Sequence, residues 1–159
     1  MLRLFLGAAA VLGWVFDASL VLRRARRGPW RAEVAEGSMA SSLLPGDWLF
    51  LDPTGRRWPR PGSIVVIREP GTGVLAIKRV AARGVRGAVA GVGCSGTGRS
   101  AEAGLERLEH PLGSREAWLL GDAPADSIDS RTYGPLDADA LVARAWFRYG
   151  PPGRIGRVR

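Results

Sequence analysis

Gly28 and Pro29 interrupt the chain, and beyond them the apolar runs are short and separated by Gly and Pro turns. With 22 glycines and 11 prolines in 159 residues, long helices have little room after that break. Proline lacks the amide that a helix needs, and glycine loses the most backbone freedom on ordering. Strands are expected at 32–35, 48–52, 63–68, 74–81, 87–92, 117–120 and 141–149. Within 82–116 the chain is Gly-rich and low in hydrophobicity, and it reads as a weak strand and loop. The length suits one domain with a core and is too short for two. The expectation is a mostly β domain over 29–159 behind a distinct N-terminal segment, 1–28.

That first segment is apolar from 4 to 22 apart from Asp17 and Ser19, and it ends in the run Arg23, Arg24, Ala25, Arg26, Arg27. Its length suits one transmembrane helix, although Asp17 near mid-bilayer is costly unless protonated or paired. Three readings compete: an uncleaved anchor, a removable signal peptide and a soluble amphipathic helix. The anchor is preferred, because no small-x-small cleavage site follows the apolar run before the arginines. Membrane lipid is then a partner, and the localisation is a single-pass protein of the cell membrane.

A net charge of +8 raises the question of nucleic acid. The arginines are scattered and do not interleave with aromatics as a single-strand binder requires, so no nucleic-acid partner is expected. Lys and Arg together number 23, and Lys78 is the only lysine among them. A coding bias toward Arg, Ala and Gly explains the arginines but not the exception. Arginine cannot lose its proton in a protein whereas a buried lysine can be neutral near pH 7, so a proton acceptor has to be lysine. Cys94 and His110 are each alone of their kind, which rules out an intramolecular disulfide and a Cys/His metal site. His110 reads as a surface histidine before Pro111.

Three places carry chemistry. In Glu36-Gly37-Ser38-Met39-Ala40-Ser41-Ser42-Leu43-Leu44-Pro45-Gly46-Asp47, a serine lies between an expected strand and a Pro-Gly-Asp turn. There its hydroxyl either faces a cleft at a sharp bend or simply caps the turn. In 74–81, strand period two puts Val74, Ala76, Lys78 and Val80 on one face, so the lysine projects among small apolar side chains. Desolvation there lowers its pKa, and the neutral amine can take the proton of a nearby hydroxyl. The alternative is an edge strand whose lysine snorkels to solvent. The third place is the Gly-bounded loop 121–134, dense in Asp, Ser and Arg. Asp122 or Asp129 paired with Arg131 can brace it by charge-assisted hydrogen bonds, leaving Ser127 to orient the lysine. A polar surface loop, or a cation site built from Asp122, Asp126 and Asp129, is the other reading. Since the acidic and glycine positions do not follow a calcium-loop spacing, no metal is expected.

Taken in this order, Ser38-Met39, Lys78-Arg79-Val80, and Gly121-Asp122 with Ser127, Asp129, Ser130, Arg131 and Gly134 resemble the boxes of the signal peptidase I family of Ser/Lys endopeptidases. The match covers most of the chain from about 32 to 149, and the N-terminal anchor also stands where the family has one. The resemblance implies a coiled, mostly antiparallel β-sheet domain with no cofactor; separately, a monomer is expected. It makes Ser38 the nucleophile, Lys78 the general base and Ser127 the holder of the amine, with Asp122 and Arg131 a structural pair and Asp129 in support. The backbone N–H of Ser38 would donate to the oxyanion. Substrates would be precursor proteins with small residues before the cleavage site, and removal of signal or leader peptides the activity.

Ser41 stands where the family has Pro, Ala123 where it has Asn, and Glu36 where it often has Ser or Gly. These departures keep open a catalytically decayed binding relative. The compact size and the Arg-Tyr-Gly-Pro-Pro sequence at 148–152 are similar to a branch that matures nickel-type superoxide dismutase by removing its leader. Topology separates the two enzymatic readings. The family places the catalytic domain outside the cytoplasm, whereas four arginines after the apolar run against Arg3 before it would retain it inside.

Overall fold

The computed structural model describes residues 2–4, 30–85, 88–91 and 111–158. Strands dominate: β1 (Leu2–Leu4), β2 (Trp30–Val34), β3 (Trp48–Asp52), β4 (Ile64–Arg68), β5 (Leu75–Val85), β6 (Ala88–Gly91), β7 (Glu116–Leu120), β8 (Leu136–Asp137), β9 (Leu141–Gly150) and β10 (Gly156–Arg157). The one α-helical turn among them is α1 (Ser130–Tyr133). Every strand pairing is antiparallel. The order is β1-β2-β3-β9-β4-β5-β7-β8, with β10 beside β9 and β6 beside β5. The mostly β antiparallel fold expected from the sequence is thus present. No described helix is long and apolar enough to cross a membrane. Leu4, the first residue of the expected span, is the last residue of β1. Residues 5–22, Cys94 and His110 lie outside the described residues.

Two long strands organise the sheet. Residues 75–79 of β5 pair with β4, and residues 82–85 pair with β6 along the same edge, while β7 takes the opposite edge over 79–83. In the same way β9 pairs with β3 on one edge and with β4 and then β10 on the other. Register shifts interrupt three of these ladders, at Trp48/Leu49 and Phe50/Leu51, at Val66/Ile67, and at Val80/Ala82. Such bulges bend a strand and increase its local twist.

Of the three buried apolar clusters among the described residues, two lie one on each face of β4, and the third gathers Ala81, Ala82, Leu112, Trp118 and Leu120. Ile64 and Val66 point to a cluster with Ala32, Val34, Leu49, Leu51, Ile77, Ala143 and Ala145. Val65 and Ile67 point to the other, with Trp58, Val80, Ala117, Leu119 and Leu136. A strand buried on both faces has no polar side to show, which is why the four residues Ile64-Val65-Val66-Ile67 run without alternation. Each such side chain contributes about 1.5–3 kcal/mol by leaving water. Outside the cores, Phe50, Trp146, Phe147 and Tyr149 form an aromatic surface across β3 and β9, with Phe50 and Tyr149 stacked at 4.4 Å.

Candidate active site

Lys78 sits in the middle of β5, opposite Val65 of β4. Ala76 and Val80, which share its face, pack into the second core, so the amine enters an apolar wall. Because β5 lies between β4 and β7, this is an interior strand, and Lys78 is only 2% exposed. The snorkelling alternative does not hold. Its ammonium is disfavoured first by burial and also by the nearby Arg131 charge. Glu69, Asp129 and Glu36 pull the other way, and the net effect is a pKa below the ordinary lysine value. The amine is not left alone in that setting: Nζ donates to Ser127 Oγ at 3.1 Å.

Ser38 lies in a one-turn 3-10 helix, Gly37–Met39, entered from Glu36 in extended conformation. The neighbouring Met39 and Leu43 are fully buried in the first core and anchor the turn. Ser38 itself is 8% exposed. Its turn packs against β5 and against the 3-10 turn Pro124–Asp126, and its carbonyl accepts from Ala123 N at 3.0 Å. The Pro-Gly-Asp turn closes the segment, with Asp47 N donating to Leu44 O at 3.0 Å. Gly46 has φ +88°, the left-handed value that the third position of such a turn needs and glycine meets without strain.

Gly121 joins these parts. A Cβ there would lie 2.1 Å from Ser127 Oγ and 2.8 Å from the Ser38 carbonyl oxygen, so the chain passes between the lysine's partner and the serine turn with no room for a side chain. Its amide donates to Asp129 Oδ2 at 2.9 Å. Asp129, fully buried, also accepts from Arg131 N at 3.1 Å and Arg131 Nε at 2.8 Å. Burial opposes its ionisation, but the hydrogen bonds outweigh it and hold the carboxyl below the usual range. Ser130 Oγ accepts from Leu119 N at 2.9 Å, fixing the far side of the loop to β7.

One expected pair is corrected. Asp122 does not meet Arg131; it meets Arg79, which donates from Nε to Oδ1 at 2.7 Å and from Nη2 to Oδ2 at 2.6 Å. Arg131 is taken by Asp129, two residues away, where the N-cap position of α1 aims the carboxylate back at it. Arg79 follows Lys78 and so projects from the opposite face of β5, toward the serine loop. There Ser42 Oγ donates to Asp122 Oδ2 at 2.5 Å and accepts from Arg79 Nη2 at 2.7 Å. Neither Arg79 nor Ser42 carried a role at the sequence level. The alternation that buried Lys78 was the available signal for Arg79; Ser42 had none.

Asp122 and Asp129 thus face different arginines and Asp126 is exposed. Among the described residues no group of three or more His, Cys, Asp or Glu is placed to hold a metal. Glu36 is exposed, and it bears on Lys78 through its charge. Ser38, Gly121, Ser127 and Lys78 therefore come from three distant segments into one contiguous locus, with Asp122 and Asp129 as braces behind it. No protein-family model matches the chain, and no curated protein matches it.

Proposed function

We propose that the protein is a membrane-anchored serine endopeptidase of the signal peptidase I type, which removes N-terminal signal or leader peptides from precursor proteins. One observation carries this reading: the chain's only lysine is buried on an interior strand, with its amine hydrogen-bonded to Ser127 Oγ at 3.1 Å beside the Ser38 turn. Burial lowers the lysine's pKa despite the charges of Glu69, Asp129 and Glu36 around it, which makes a permanent structural cation a poor account of it. It is well suited to accept a proton.

In this reaction Ser38 Oγ bonds to the scissile carbonyl carbon as its proton passes to Lys78 Nζ. The carbonyl oxygen takes the negative charge and accepts from the backbone N–H of Ser38. Collapse breaks the C–N bond, and the Lys78 ammonium returns the proton to the leaving amine. Water then repeats the sequence on the acyl-serine, with Lys78 again the base. Ser127 restricts the amine to one direction, and the ion pairs of Asp122 and Asp129 hold the two loops in register. No cofactor enters any step.

The test is cleavage of a preprotein carrying an Ala-x-Ala site by the full chain in detergent, comparing wild type with Ser38→Ala and Lys78→Arg. Arginine keeps the charge but cannot serve as base, so both variants are expected to lose on the order of 10⁴- to 10⁶-fold in kcat. Turnover surviving Ser38→Ala would exclude this mechanism.

A second substrate reading uses the same chemistry. The arginines at 23, 24, 26 and 27, against Arg3 alone before the apolar run, favour a catalytic domain retained in the cytoplasm. A cytoplasmic enzyme would mature one dedicated partner, such as a nickel-type superoxide dismutase precursor. Protease protection of the domain in sealed vesicles of known orientation decides between them.

A further inference from the structure

Asp47, the last residue of the Pro-Gly-Asp turn, is 1% exposed, and two arginines from β9 and the segment after it meet its charge. Arg148 Nη1 donates to Asp47 Oδ2 at 3.1 Å and Arg154 Nη2 donates to the same oxygen at 3.0 Å. Arg154 Nε lies 2.9 Å from Oδ1. Both guanidinium groups also reach the Ser42 carbonyl, at 3.2 Å from Arg148 and 3.5 Å from Arg154. They are fixed to one another as well, since Arg148 Nε donates to the backbone carbonyl of Arg154. Arg154 ends a 3-10 turn, Pro152–Arg154, placed by the pairing of β10 with β9.

Ser42 is thereby held from two directions. Its side chain is bound by Asp122 and by Arg79, the neighbour of Lys78, and its carbonyl faces the two arginines beyond. It is coupled to the serine turn by short-range bonds: Ser42 N and Leu43 N both donate to Met39 O, at 2.9 and 2.7 Å. A shift of Ser42 therefore moves the backbone that carries Ser38. One arginine would suffice to neutralise a buried carboxylate. The second, together with contacts to a main-chain carbonyl, adds geometric restraint rather than charge.

We infer that Arg148 and Arg154 are positioning residues, which set the nucleophile turn through Asp47 and the Ser42 carbonyl so that Ser38 faces Lys78. Neither arginine touches the reacting atoms. The inference rests on the Ser/Lys protease reading above.

The test uses the full chain in detergent as wild type, Arg154→Met and Arg154→Lys, with preprotein turnover and amide hydrogen exchange measured on each. For Arg154→Met, kcat is expected to fall on the order of 10- to 100-fold while KM stays within about two-fold, the signature of misalignment rather than lost binding. Arg154→Lys restores a charge for Asp47 and should recover part of kcat. Exchange should quicken at Leu44 and Gly46 with β4 and β5 unchanged. Unchanged kcat, or exchange that quickens equally across all strands, would overturn the inference. Should wild type fail to cleave, the functional reading falls and exchange alone decides. Local quickening over 38–47 then upholds the brace, and its absence removes it.

Discussion

Lys78 and Ser127, 49 residues apart in sequence, are joined side chain to side chain, Nζ to Oγ at 3.1 Å. The contact needs β5 and the loop after β7 to be neighbours, and the β5–β7 ladder supplies that by pairing Arg79 with Leu120, one residue before Gly121. If the amine is the base, Ser127 limits its motion, since a free lysine side chain samples many rotamers. Ser127→Ala is expected to lower kcat by roughly 10²- to 10³-fold, a loss of the size seen when one positioned polar group leaves a reacting centre. Stability should fall by only about 1 kcal/mol, the worth of one hydrogen bond. Steady-state kinetics together with a denaturant melt separates the two effects.

The lowered pKa of Lys78 gives a pH dependence of definite sign. Burial is the main cause, so the folded chain releases this proton more readily than the unfolded chain, whose lysine titrates near 10.5. Between the lowered value and 10.5 the unfolded chain binds more protons, and stability attributable to Lys78 rises with pH. Below the lowered value the full cost of the buried ammonium is present. Lys78→Met should therefore be more stable than wild type at acidic and neutral pH, with the gap closing as pH rises. Denaturant unfolding of both proteins across that range checks it. Cleavage by wild type should rise with pH through the same titration, because only the neutral amine is a base.

Gly121→Ala places a methyl group against the Ser127 hydroxyl and the Ser38 carbonyl. Rotation can move the serine hydroxyl but not Ser127 Cβ, which would lie 2.4 Å from the methyl, and the carbonyl belongs to backbone hydrogen-bonded to Ala123 N. Overpacking of this kind costs about 1–3 kcal/mol. It should also cut kcat on the order of 10²-fold by separating the serine turn from the loop that holds the lysine. A variant with wild-type turnover and an unchanged melting temperature would contradict the close approach.

Asp129 ties Gly121 to Arg131, and its folded pKa lies below the ordinary aspartate value. A depressed carboxyl stabilises the fold above the unfolded pKa, near 3.8, and loses that contribution as pH falls through the folded value. Asp129→Asn leaves Arg131 without its charge partner, and a loss of about 3 kcal/mol is expected near neutral pH, as for other broken buried pairs. The difference between variant and wild type should shrink below that pH. Melting curves from neutral pH down to strong acid measure both points.

Local pattern carried much of the architecture. Of the residues that alternation in 74–81 assigned to one face with Lys78, Ala76 and Val80 pack into the second core, because side-chain direction in a strand follows from backbone geometry, whereas Val74 precedes β5 and is exposed. Expected strands at 48–52 and 141–149 match β3 and β9 to within a residue, since Pro53 and Pro151 follow them and cannot continue the ladders. The two-residue strands β8 and β10 left no trace in the pattern, for their pairing depends on a neighbour rather than on their own residues.

Tertiary structure alone decided how the charges are distributed. Asp122 and Asp129 lie in one loop with Arg131, and by sequence distance either could take it. The choice fell out of two local geometries: the N-cap of α1 turns Asp129 back on Arg131, and the antiparallel neighbour of β7 brings Arg79 to Asp122. Asp47 likewise finds Arg148 and Arg154 only because β9 runs beside β3. Ionic contacts need a few ångströms of agreement between segments remote in the chain. The sequence by itself determined the longer strands, most of their faces and a lone lysine among apolar neighbours, because these follow from local residue pattern; which arginine meets which aspartate was set by strand order and bulges, which no local pattern encodes.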